Sequence, residues 1–129
     1  MPAVMTFEIH ASDPERSMAF YKAVLGWEFI EHKFGDTSFW EIVTPNEDRG
    51  AKGRMIRRHG SAPQAGAPVM GAVITVDVGD LDNVSETALT AGGTIALPKF
   101  ALPGVGWAAY FLDPDHNVFG VFQHDEAAR

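Results

Sequence analysis

The chain has 129 residues, 46% of them hydrophobic and 21% charged, with a formal net charge of −7 and no cysteine. That length and composition fit one compact globular domain and exclude extended disorder. Without cysteine there is no disulfide framework, thiolate metal site or cysteine nucleophile. Without a basic stripe there is little to bind nucleic acid.

The densest basic cluster, Lys52, Arg54, Arg57 and Arg58, is interrupted by Gly53, Met55 and Ile56. The opening "MPAVMTFEIH" lacks the basic and apolar regions of a signal peptide, and no apolar run reaches the length of a membrane span. The expectation is a soluble, cytoplasmic protein with no membrane partner.

In chain order, residues 4–11 alternate, with Met5, Phe7 and Ile9 on one face and Thr6, Glu8 and His10 on the other, which predicts a strand. Ser12 or Asp13 caps a helix that carries Pro14 in its first turn and Glu15 close behind. Met18, Tyr21, Val24 and Leu25 form its apolar stripe, Phe20 flanks it, and Gly26 ends it. "WEFIEH", "TSFWEIVT" and "GRMIRR" follow as strands, with the loop "PNEDRGAK" before the last. The acidic pair Glu47 and Asp48 reads as a solvated loop tip.

The same grammar then recurs. A strand over about 70–78 leads to a cap at Asp80 and a helix carrying Leu81, Val84, Ala88 and Leu89. Gly92 and Gly93 close it, and "TIAL", "GWAAYFLD" and "NVFGVFQH" are strands. Asp13 and Asp80 lie 67 positions apart, and so do Gly26 and Gly93. Each half reads as βαβββ, and "HGSAPQAGAP" has the composition of the linker between them. The expectation is an α+β fold in a single domain spanning 1–129, with module one at about 4–59, a linker at about 60–69 and module two at about 70–124.

"FEIHASDPERSMAFYKAVLGWEF" and "PGVGWAAYFLDPDHNVFGVFQ" together resemble the vicinal oxygen chelate superfamily, which holds glyoxalases, bleomycin-resistance proteins and extradiol dioxygenases. The first resembles that family's strand, "D-P-x-x-S/A-x-x-F-Y" and "V-L-G"; the second resembles its "G-x-x-x-x-F-x-D-P-x-G-N" hairpin. The resemblance runs from about Phe7 to Gln123. It implies two βαβββ modules whose strands form a half-open, cup-shaped mixed sheet with helices outside, and it implies a homodimer.

In metal-dependent members the first and last strand of each module typically supply a ligand. Carried over by distance from the shared aspartates, those positions fall on Thr6, Val73 and Gly120, and on Arg54, Met55 or Arg57 in "GRMIRR". None is a usual donor for a divalent ion. The resemblance therefore points to an atypical branch with no cofactor expected, a divalent metal remaining the alternative.

Two readings of Glu8 and His10 stay open. As neighbours on one face of a strand they are candidate catalytic residues, base and orienting partner; or Glu8 simply pairs with Arg54 or Arg57 across the sheet. Thr6, Trp40, Arg54, Trp107 and Tyr110 are candidate ligand-binding residues. Alternation sets Trp40 with Ile42 against Phe39 with Glu41, and Trp107, Ala109 and Phe111 against Ala108, Tyr110 and Leu112, without saying which set meets ligand. "FALPGVG" reads as a rim loop. His32, His59 and His124 read as surface or subunit contacts.

The leading expectation is a protein that binds a small, largely apolar or aromatic molecule, with proton transfer as an added activity. A lyase, isomerase or dioxygenase with a nonstandard metal set is the alternative, and a noncatalytic interaction module the second. In "DPDHN", Asp113 and Pro114 predict a type I turn, with His116 or Asn117 at a positive-φ position.

Overall fold

A computed structural model describes residues 6–45, 51–69 and 71–129. The expected strand residues Val4, Met5 and Met70 and the acidic tip Glu47–Asp48 lie outside the described residues. Internal contacts divide the chain into two units, Met1–Ala62 and Pro63–Arg129.

In the first unit, β1 (Thr6–Ala11) runs into α1 (Pro14–Leu25), followed by β2 (Glu28–Phe34), β3 (Thr37–Val43) and β4 (Lys52–Arg57). The sheet order is β1-β4-β3-β2. β1 and β4 are parallel, and the other two pairings are antiparallel. Asp13, rather than Ser12, is the helix cap: its Oδ1 accepts from the Arg16 N–H at 3.2 Å, satisfying one of the donors a helix start leaves free. Gly26 takes φ 70°, and its N–H donates to the Lys22 carbonyl, ending the helix in the left-handed turn that a side chain disfavours.

The stripe that α1 buries is Pro14, Ser17, Phe20, Tyr21 and Val24. Phe20 is therefore central rather than flanking, while Met18 and Leu25 are only half-buried. A five-residue sequence stripe leaves its exact rotation open by about one position, and packing on the sheet settles it. The opposing face of the sheet carries Ile9, Met55 and Ile42, all buried. Trp27, just before β2, stacks on Tyr21 at 5.1 Å and meets Phe7 at 6.1 Å. Phe7 lies directly over Gly53, where a Cβ would come within 2.2 Å of its ring.

The second unit repeats the topology. β5 (Ile74–Asp77), α2 (Leu81–Thr90), β6 (Thr94–Leu102), β7 (Gly106–Leu112) and β8 (Val118–His124) give the order β5-β8-β7-β6, again with its first and last strands parallel. Asp80 caps α2 by accepting from the Asn83 N–H at 3.1 Å. The Gln123 side chain, on β8, accepts from the Leu81 N–H at 2.8 Å and ties the helix start to the sheet. The helix-side face holds Phe111, Phe119 and Val121.

Three expectations are corrected in this unit. Leu89 is 46% exposed rather than part of the helix stripe. β5 begins at Ile74, so Gly71–Val73 are not strand. "FALPGVG" is not a loop throughout: Phe100–Leu102 finish β6, and only a short turn precedes β7. Pro103 lies in that turn, just past the end of β6, while the register shifts of β6, between Ile95 and Leu97 and between Leu97 and Phe100, fall earlier, around Pro98. Among the described residues no helix is long and apolar enough to cross a membrane.

Candidate functional site

In each unit the helix covers one face of the sheet, and the functional candidates sort by which face they occupy. On the open face of the first sheet, Glu8 of β1 sits opposite Arg54 of β4, which sits opposite Glu41 of β3, which sits opposite Ile30 of β2. The adjoining row is His10, Ile56, Phe39 and His32. Strand alternation puts all of these side chains on the side away from Ile9 and Met55.

The charged row is closely paired. Arg54 donates to Glu8 Oε2 through Nε at 2.8 Å and also through Nη2. His10 Nε2 pairs with Glu8 Oε1 at 3.3 Å. On the other side, His32 Nε2 pairs with Glu41 Oε1 at 3.0 Å. A carboxylate oxygen only accepts, so each of these ring nitrogens carries the hydrogen. The hydrogen bonds from Arg54, and then from His10, hold the Glu8 carboxyl below its usual pKa. Glu8 is thus an ionised anchor, which suits it to orient His10 and makes it a weak proton acceptor.

Next to this row stands an aromatic stack. His32 lies on Phe39 at 5.0 Å with planes 12° apart, and Phe34 lies on Phe39 at 5.6 Å with planes 13° apart. The Arg54 guanidinium carbon is 5.6 Å from the Phe39 ring centroid. Phe34 is 69% exposed, so much of its ring surface faces water.

Of the residues expected to share a site, Glu8, His10, Thr6 and Arg54 do share the open face of the first sheet. Trp40 does not: it pairs with Met55 and Glu31 on the helix side, and Phe39 is the aromatic of β3 that faces outward. Phe39, Phe34, His32 and Glu41 are therefore the residues the sequence expectation passed over. A signal for them existed in "FGDT". Gly35 at φ 60° forms a two-residue hairpin turn, and that turn length sets Phe34 opposite Thr37 and His32 opposite Phe39.

In the second unit, Trp107 is on the helix side as well. Its Nε1 donates to Asp125 Oδ2 at 3.0 Å, and Lys99 Nζ lies 4.6 Å from its ring centroid. That hydrogen bond, with the Ala127 N–H, holds the Asp125 carboxyl below its usual pKa. Tyr110 is on the open face, opposite Gly120, which is in turn opposite Thr75. Its ring stacks with Phe100 at 6.3 Å and lies over Gly120.

The residues at the positions the resemblance assigns to metal ligands do not fit a divalent cation. Arg54 brings a positive charge and already holds Glu8. Gly120 has no donor, and a Cβ there would meet both Thr75 Oγ1 and the Tyr110 ring at 2.9 Å. Thr6 offers only a hydroxyl and Val73 nothing. Among the described residues, no three His, Asp or Glu side chains are grouped to hold a metal.

The hairpin "DPDHN" is structural. Asp113 is buried, and its Oδ1 accepts from the N–H groups of Asp115 and Asn117 at 2.8 and 2.9 Å. His116, not Asn117, takes the positive φ of 64°. Its Nδ1–H donates to the Pro63 carbonyl at 2.9 Å, which holds the ring while the backbone bears that strain.

Two βαβββ units of matching topology define a paired-module protein. A family model described as bleomycin resistance protein-like N-terminal matches residues 3–44. A putative glyoxylase, CFP32 of Mycobacterium bovis, is 23% identical over 117 residues; the match covers 90% of this chain and 43% of that protein. The chain thus spans less than half the length of the curated relatives it matches. Among solved structures, a glyoxalase/bleomycin resistance protein/dioxygenase family enzyme from Burkholderia phytofirmans aligns with a TM-score of 0.69 at 19% identity, covering 93% of this chain and 97% of that one. The fosfomycin resistance protein FosX of Listeria monocytogenes, complexed with Mn(II) and 1S,2S-dihydroxypropylphosphonic acid, aligns at 0.70 with 17% identity, covering 95% and 90%. The chain thus has the fold of these solved structures, and its residues 3–44 are similar to the bleomycin resistance protein-like N-terminal family.

Proposed function

We propose that the protein binds a small aromatic or largely apolar molecule on the open face of the first sheet, without the divalent metal usual for the superfamily. The observation that carries this reading is the stack of His32, Phe39 and Phe34 beside Arg54, with Phe34 largely exposed. Exposed rings in parallel planes offer a planar ligand both apolar burial and stacking. The adjacent Glu8–Arg54–Glu41 row supplies fixed polar partners that would orient it.

A catalytic extension rests on the Glu8–His10 pair. With Glu8 ionised and anchored, the imidazole is the group able to accept or deliver a proton, and Glu8 holds its ring in place. The protein is further proposed to act in the cytoplasm as a homodimer, as the family resemblance implies; light scattering in solution tests the dimer.

The decisive experiment is a thermal-shift screen of small aromatic compounds on metal-analysed protein. A ligand selective for the folded state raises Tm by mass action. The reading expects such a compound, with the shift lost in Phe39→Ala and retained in Trp40→Phe. It fails if no compound raises Tm, or if Phe39→Ala responds as the wild type does. Stoichiometric divalent metal that Glu8→Ala removes would instead establish a metalloenzyme.

A further inference from the structure

Beside the open face of its sheet the first unit contains a groove of about 680 Å³. That lies within the roughly 300–1,000 Å³ of small-molecule sites. It is lined by the first turns of α1, by the β2–β3 hairpin and by the end of β4. It shares Phe34, Phe39 and Ile56 with the open face, but none of Glu8, Arg54, Glu41 or His32.

Its chemistry is aromatic and acidic together. Phe34, Phe39 and Trp40 supply ring surface, and Met18 and Ile56 extend the apolar wall. Glu15, Glu31 and Asp36 supply three carboxylates, against which Arg57 is the one guanidinium. With His59 neutral the lining carries a charge of −2, in a chain whose formal charge is −7. The Glu31 carboxylate is oriented by Ser38, whose hydroxyl donates to Oε2 at 2.7 Å.

Carboxylates alone would suit any cation, and rings alone any apolar body. A small hydrated metal ion gains nothing from ring faces, and an anion is repelled by the net charge. An organic ammonium uses both features: the negative faces of the rings attract it, the carboxylates neutralise it, and its hydrocarbon part covers exposed ring surface.

We propose that this groove is a binding site for a small organic ammonium ion with an aromatic or aliphatic body. The ammonium sits with Glu15, Glu31 and Asp36, and the body lies along Trp40 and Met18 on the helix side of the groove. Arg57 opposes the cation and sets the limit on affinity, so its removal reports the sign of the ligand.

The test uses three probes of one shape, phenethylammonium, phenylacetate and 2-phenylethanol, titrated into the full chain and followed by heteronuclear NMR at the Glu15 and Arg57 amides and the Trp40 indole. Phenethylammonium is expected to shift these signals and to bind about fivefold more tightly than phenylacetate. Glu15→Gln with Glu31→Gln is expected to weaken it about fivefold, and Arg57→Ala to tighten it about twofold. All three substitutions are at exposed positions and leave the Glu8–Arg54–Glu41 row intact. Shifts at Glu8, Arg54 and His32 therefore report the open face separately. The proposal is overturned if phenethylammonium does not bind here, if phenylacetate binds as tightly, if the double variant binds unchanged, or if Arg57→Ala weakens binding.

Discussion

The two units use one topology and put opposite chemistry at the same place in it. Glu8 and Thr75 are 67 positions apart, as are the two helix caps, and each faces the last strand of its unit in parallel register. In the first unit that neighbour is Arg54, and the pair is ionic; in the second it is Gly120, and the Tyr110 ring fills the space. Each unit also sets an aromatic ring over a glycine of its last strand, but on opposite faces. Phe7 covers Gly53 on the helix side, and Tyr110 covers Gly120 on the open side. The topology tolerates either solution because the helix side alone must be apolar. The open side is free to diverge, and in the first unit it carries the Glu8–Arg54–Glu41 row and the His32–Phe39–Phe34 stack.

The largest test of the shared half of that comparison is in the cores. Met55 and Val121 follow Arg54 and Gly120 in their strands, and both are fully buried. Met55→Ala is expected to cost about 2–5 kcal/mol in denaturant unfolding, and Val121→Ala less, because it removes less volume. Equal losses would show that the two cores do not scale with the volume they pack.

The glycines come next. Gly53→Ala drives a Cβ to 2.2 Å from Phe7, and Gly120→Ala drives one to 2.9 Å from Tyr110. Overpacking on this scale costs about 1–3 kcal/mol, and Gly53→Ala is expected to be the worse of the two. Tyr110, half-exposed, has room to swing out, whereas Phe7 is held beside Trp27. A reversed order would place the tighter constraint on the open side.

The ionic pair contributes less. Glu8 titrates below its usual range in the folded protein, so its contribution is present above about pH 4.5 and is lost as the pH falls through the lowered value. With the Glu8 side chain 35% exposed, the effect belongs to the scale of surface pairs, about 0.2–1 kcal/mol. Arg54→Met is expected to reduce this acid-side dependence, with the part due to His10 remaining, measured as the difference in unfolding free energy between pH 6 and pH 3. An unchanged dependence would assign it to other carboxylates.

The smallest effect is local to the second unit. Trp107→Phe deletes the indole donor to Asp125, so the Asp125 carboxyl is expected to titrate closer to the ordinary aspartate range by NMR. No movement would leave the Ala127 N–H as the group responsible.

Much of this was legible because it is punctuation. Asp13 and Asp80 as caps, Gly26 as a stop, the strand alternation of residues 6–11 and the turn at Asp113 each follow from backbone demands that few residues meet. The Glu8–Arg54 pairing was among the open readings, since alternation put Glu8 outward and a basic residue stood in "GRMIRR". The choice between Trp40 and Phe39 was not legible in the same way. Alternation separates the two faces of β3 but does not name them, and the loop before β4 is too long to fix the register with Arg54.

By itself, the sequence determined the repeated βαβββ plan, the limits of its helices and the two alternating sets of residues on each strand, because these depend on local geometry and on near neighbours. Only the tertiary structure decided which set faces outward, that Phe39 and not Trp40 stands beside Arg54, and that Gly120 lies beneath a tyrosine. Those outcomes depend on which sheet face the helix covers and on strand pairing across 40 residues or more, as between Glu8 and Arg54 at a separation of 46. Packing of the whole unit sets both.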